Sequence, residues 1–199
     1  VSGPRDDEHL AQLSKASGLV ASSRAAAIAA WGGLVASARE SWPSVRFDDD
    51  QLATFVGERL AGSDLAIALS SAPAADLGLA AACLAQEPTA LAAFDAVLAE
   101  VNAAGSATGS SQDQIDEVKQ LLRVQLLVPK DGKPAGIAGY RGKGPLRGWV
   151  RITATRELIR HKKKRMRDVP LDQSLDRLLT SGGDPALELL KAEYRSEFS

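Results

Sequence analysis

The chain has 199 residues, 45% of them hydrophobic and only 5% aromatic, with 24 Lys and Arg against 25 Asp and Glu. That length can bury a core without staples, and an Ala-rich, aromatic-poor composition favours helices over sheet. The single cysteine, Cys83 in AAACLAQ, excludes an intramolecular disulfide and a thiolate metal cluster built from one chain; it reads as a small buried hydrophobe in a reducing, cytoplasmic compartment.

In chain order, VSGPR is expected to be loosely held. Asp6, Asp7 and Glu8 suit a first helical turn, and that helix runs to about Ser17 with Gly18 as its stop. A second helix starts near Ser22 or Ser23 and ends at Ser41, because the residue before Pro43 is pushed out of helical geometry. Gly32 and Gly33 either weaken its middle or permit another helix to pack closely. The stretch LVASSRAAAIAAWGGLVASARESW is apolar, yet Arg24 and Arg39 bracket a run shorter than the ~20 residues needed to span a bilayer, and it follows no basic N-terminus. It reads as a core helix with no membrane role.

Asp48, Asp49 and Asp50 cap QLATFVGERLAG, in which Leu52, Phe55, Val56, Arg59 and Leu60 have helical spacing. Ser63 opens the short turn DLAIALSS. Pro73 marks the preferred boundary between this N-terminal layer and the remainder of the chain. Asp76 caps LGLAAACLAQ, and Pro88 with Thr89 starts one helix carrying Leu91, Phe94, Val97, Leu98 and Val101 on a single face. AAGSATGSSQ is a flexible loop by composition. Ser111 then caps DQIDEVKQLLRVQLLV, whose apolar set is Ile115, Val118, Leu121, Leu122 and Leu126. Asp116, Lys119, Gln120 and Arg123 form its polar side, which on spacing alone is a solvated helix face.

Charge is concentrated between Tyr140 and Arg167, which holds eleven of the 24 bases and one acid, Glu157; the segment is +10 and the rest of the chain −11. Pro145 suits a first helical position. Leu146, Val150, Ala154 and Leu158 then recur every four residues, and Trp149, Ile152 and Ile159 mark a second side. A basic run is commonly a solvated face. Here, however, Arg147, Arg151, Arg156 and Arg160 lie among two apolar stripes and HKKKRMR comes next, a pattern suited to neutralising phosphates and stacking on unpaired bases. Trp149 serves either the opened strand or the helix core. The preceding PKDGKPAGIAGYRGKG lacks the G-x-x-x-x-G-K-S/T order of a phosphate-cradling loop, and its glycines and prolines exclude regular structure.

YRGKGPLRGWVRITATRELI with its Lys/Arg tail resembles the F-R-G-x-S-x-L-R-x-W-L-x-R-I-A-x-N stretch of bacterial RNA polymerase sigma factors of the extracytoplasmic-function group. SSQDQIDEVKQLLRVQLLV is similar to their polymerase-binding D-L-V-Q-E-x-F-L-R helix, with Asp116, Val118, Gln120 and Leu121 near the matching positions; the acid usual after the Gln is Leu121 here. The wider layout, from WP…F…RL through DLGLAAACLAQEPTALAAFDAVLAEV to DPALELLKAEYRSEF, resembles a divergent group found in myxobacteria. The likeness covers about residues 76–199 well and the N-terminal third only loosely.

The resemblance implies an all-α bundle like the sigma core-binding and promoter-melting region, with an extra N-terminal helical layer. Its divisions are 1–72, the extension; 73–168, the binding and melting domain; and 169–199, an acidic linker with the start of a truncated domain that reads the upstream element. It implies that Asp116, Lys119, Gln120 and Arg123 hold the clamp helices of the largest subunit of core RNA polymerase. It also implies that Tyr140, Arg141 and Lys143 help capture a base flipped from the non-template promoter strand. Arg147, Trp149, Arg151, Arg156, Arg160, Lys162, Lys163, Lys164 and Arg165 complete the expected DNA contacts, and an anti-sigma factor is a further partner. No catalysis, cofactor or metal is expected, since His9 and His161 lie in unrelated contexts and no metal-ligand spacing occurs. The alternative from another class is a regulatory helical module that engages an acidic protein and no DNA.

Overall fold

The computed structural model describes residues 4–168, with side chains from Arg5 to Lys164. The loosely held N-terminus, the Arg165 contact and the acidic linker with its helices lie outside the described residues. Within them the chain is all-α, ten α-helices with no strand. It packs as two units, residues 4–98 with 123–149, and residues 99–122 with 150–168.

In the first unit α1 (Pro4–Ser17) and α3 (Asp49–Gly57) pack together, and α2 (Arg24–Ser41) packs on α4 (Leu65–Ser71) and α5 (Ala74–Leu84). The ends reflect local chemistry. Gly18, at φ 72°, donates its N–H to the Ser14 carbonyl and closes α1. Ser23 caps α2, Asp48 caps α3 through Asp50 and Gln51, and Asp64 caps α4 through Ile67. The expected opening of α4 at Ser63 is thus one residue early.

The core combines Leu13, Trp31, Leu34, Leu52, Phe55, Leu65, Leu69, Leu77 and Leu79, all buried; each such side chain contributes about 1.5–3 kcal/mol when fully removed from water. A Cβ on Gly78 would stand 2.8 Å from the Ala38 Cβ, so α5 approaches α2 as closely as a missing side chain permits. Residues on both sides of Pro73 therefore share one unit, and the packing does not divide at the expected boundary. No single helix among the described residues is long and apolar enough to cross a membrane.

The one helix expected after Pro88 is three: α6 (Pro88–Ala93), capped by Glu87, α7 (Asp95–Leu98) and α8 (Glu100–Ala107). Phe94, Val97, Leu98 and Val101 are buried as the spacing predicts. The first unit keeps α6 and α7; α8 belongs to the second.

In the second unit α8 packs with most of α9 (Gln112–Leu127) and with α10 (Leu146–Asp168) from Val150 onward. Ser111 and Gln114 exchange hydrogen bonds as a reciprocal cap on α9. The composition of AAGSATGSSQ points to a loop, but its first half is helical. A Cβ on Gly105 would fall 2.3 Å from the Ile115 Cγ1, so the small residue is what lets α8 meet α9. Val101, Ala104, Ile115, Val118, Leu122, Val150, Ala154 and Leu158 form this core.

Candidate nucleic-acid interface

In the first unit the segment before α10 is more ordered than its glycines suggest. Asp131 and Gly132, both at positive φ, turn the chain so that Lys130 and Lys133 pair, and Gly136–Gly139 makes a 3-10 turn. Tyr140 comes next with 1% of its surface exposed, and its hydroxyl donates to the Gly144 carbonyl at 2.7 Å. Burial, with the charge of Asp76 adding to it, pushes the phenol well above its ordinary pKa. A ring so enclosed offers no stacking face to a base, which corrects the expected contact role of Tyr140: it closes the loop on itself.

The Trp149 ring, half-buried, lies 5.8 Å from that of Tyr140 at 58°. Arg141 and Lys143 are exposed, one on each side of Gly142 at φ 69°. Asp76, expected to cap its own helix, accepts the Leu146 N–H at 3.0 Å and so caps α10. Pro145 stands just before that helix, its carbonyl accepting from Trp149.

Within α10, Leu146, Val150, Ala154 and Leu158 are fully buried, and Ile152 and Ile159 half-buried, as the two-stripe pattern predicts. Its cations divide into two kinds. In the second unit the Arg151 guanidinium donates to the Glu100 carboxylate at 2.9 and 2.6 Å. Arg160, its side chain 74% exposed, donates to the buried Glu157 carboxylate at 2.9 and 3.2 Å. Lys162 donates to the Thr108 carbonyl just past the end of α8, where a cation meets the negative end of the helix dipole. His161 lies 3.6 Å from Glu117. By contrast Arg156, Lys163 and Lys164 are exposed and have no acid partner among the described residues, and the same holds for Arg141 and Lys143 in the first unit. Arg147 is exposed and engaged locally.

On α9 the buried set is Ile115, Val118, Leu122, Leu126 and Leu127. Leu121, expected inside, is 40% exposed; with Val124 at 57% and Val128 at 49% it continues the open side of the helix. Four residues separate Leu121 from the exposed Glu117, which puts both on that side. Asp116 is exposed and accepts from Gln112 at 3.0 Å. Gln120 is exposed, Lys119 half-exposed, and Arg123, in the first unit, donates to Asp95.

Arg59 is the residue that helical spacing alone does not single out. Its side chain is 3% exposed, and it donates to the carbonyls of Ala138 and Tyr140, both at 2.7 Å. Burial pushes its pKa down, Glu58 opposes that, and the charge of Arg141 adds to the lowering. An arginine among Leu52, Phe55, Val56 and Leu60 carries no sequence mark that separates a loop anchor from a surface cation.

A cleft of about 540 Å³ opens in the first unit among Arg46, Gln51, Ala81 and Gln86. Its acids are already engaged as caps, Asp48 on α3 and Glu87 on α6. No group of His, Cys, Asp and Glu among the described residues could hold a metal ion. The chain matches no family model, no curated protein and no solved structure.

Proposed function

We propose that the chain is an RNA polymerase sigma subunit of the extracytoplasmic-function kind, which binds core polymerase and grips separated promoter strands at the minus-ten element. The observation that carries this reading is the set of five exposed cations without an acid partner, Arg141, Lys143, Arg156, Lys163 and Lys164, in a chain whose acids outnumber its bases. Cations left open beside so many carboxylates suit phosphate contacts. Arg147, Arg151 and Arg160 would add to them, the latter two by exchanging a carboxylate for a phosphate, and Trp149 keeps part of its ring open to an unpaired base. The open side of α9 with Asp116, Lys119 and Gln120, together with Arg123, is the surface proposed for polymerase. The chain itself catalyses nothing in this reading.

The test is fluorescence anisotropy of a labelled single-stranded oligonucleotide over a salt series. The affinity is expected to fall with salt, and Lys163→Ala with Lys164→Ala to flatten the slope by about 0.7 for each phosphate no longer neutralised. An unchanged slope would remove these residues from the interface. A second reading, a module for an acidic protein partner, draws on the carboxylates already held by Arg151 and Arg160. Capture of core polymerase separates the two, since only the first requires it.

A further inference from the structure

The loop 138–144 is tied to α3 by the Arg59 guanidinium, all three nitrogens of which donate. Nε donates to the Tyr140 carbonyl and Nη2 to that of Ala138, 81 and 79 residues further along the chain. Nη1 donates to the Phe55 carbonyl at 2.6 Å and to the Glu58 carboxylate at 3.1 Å. The Phe55 ring lies 3.3 Å from the guanidinium carbon. A planar fork with five donors holds two carbonyls of one segment in fixed directions, a geometry that a flexible ammonium does not impose.

Both carbonyls lie within the three residues before Arg141, and the Tyr140 hydroxyl closes the far side of the loop on Gly144. The span that carries Arg141 and Lys143 is therefore held at both ends. The charges of Arg59 and Arg141 repel; the Glu58 carboxylate 3.1 Å from Nη1 offsets part of that cost, and an anion on Arg141 and Lys143 would offset more.

We infer that Arg59 is the positioning residue of a phosphate-binding loop: it presents Arg141 and Lys143 as a preformed pair to a nucleic-acid backbone. This inference rests on the nucleic-acid reading above, and Arg59 lies outside residues 76–199, the part of the sequence that resembles the family well.

The test measures the salt slope of binding to a labelled oligothymidylate for the wild type, Arg59→Lys, Arg141→Ala/Lys143→Ala, and the triple variant. Arg59→Lys keeps the charge but loses the fork. It is expected to retain helical circular dichroism and to flatten the slope in the same direction as the double variant, in which two phosphates left without a cation are worth about 1.4 on a single strand. In the triple variant it is expected to add nothing. A generalised loss of fold would not produce that non-additivity. Should Arg59→Lys lose its helical signal, Phe55→Leu, which removes the ring beneath the guanidinium and keeps an apolar side chain in the core, replaces it with the same expectation. A wild-type slope in the folded variant, or a further drop in the triple variant, overturns the assignment and leaves DNA binding standing. Absence of oligothymidylate binding by the wild type overturns both.

Discussion

Lys162, Lys163 and Lys164 are identical in the sequence and differ in what they do, because only Lys162 reaches the Thr108 carbonyl. Lys162→Ala is expected to destabilise the fold by about 0.5–1 kcal/mol, the usual worth of a cation at a helix C-terminus, measured by urea unfolding, whereas Lys163→Ala and Lys164→Ala leave stability unchanged. Cys83 is buried and its thiol pushed up to about 12 by burial, with Glu87 adding; it should resist a thiol reagent at pH 8 and react fully once urea unfolds the chain. Asp64 is held down to about 2 by the Ser22 and Ile67 N–H groups. Its unfolded carboxyl titrates near 3.8. The folded state therefore gains stability from it above about pH 5 and loses that gain as the pH falls from about 4 to 2. The urea midpoint of Asp64→Asn should fall less than that of the wild type between pH 5 and pH 3. The roles of Lys162 and Asp64 are hidden in the sequence because each depends on a partner 42 or more residues away, Thr108 for the one and Ser22 for the other.

Helices with strong apolar spacing or a capping residue were legible, α2 and α3 because local chemistry sets their ends and α10 by its spacing. α8 was legible only in part: most of it falls in the helix expected after Pro88, while its Ala, Gly and Ser end reads as a loop, and Gly105 is what admits Ile115 there. Two glycines make the contrast testable. Gly33 lies in the exposed middle of α2 with nothing within 4 Å of an added Cβ, so Gly33→Ala should stabilise by about 1 kcal/mol. Gly105→Ala should destabilise by about 1–3 kcal/mol through overpacking, and Ile115→Val should recover part of that loss. Opposite signs of the shift in urea midpoint are the expected result. Asp76→Ala, which frees the Leu146 N–H, should cost about 1 kcal/mol; its cap on a helix 70 residues away was not visible in the spacing, which pointed to its own helix instead.

At the scale of the molecule the all-α class could be read from composition and periodicity, while the division at Pro73 could not, because a proline marks a helix start and carries no information about which helices pack together. Gly78 against Ala38 is the packing that joins the two sides. The candidate site was legible as a concentration of charge. Which cations are open and which are paired depends on Glu157, marked by its i,i+3 spacing from Arg160, and on Glu100 and Thr108, which nothing in their sequence context marks as partners. The central claim is that this arrangement serves a polymerase. Gel filtration of the chain mixed with purified bacterial core RNA polymerase tests it most directly: the account predicts co-elution, weakened when Asp116 and Gln120 are both changed to Ala, and elution of the chain entirely separate from the enzyme would contradict it.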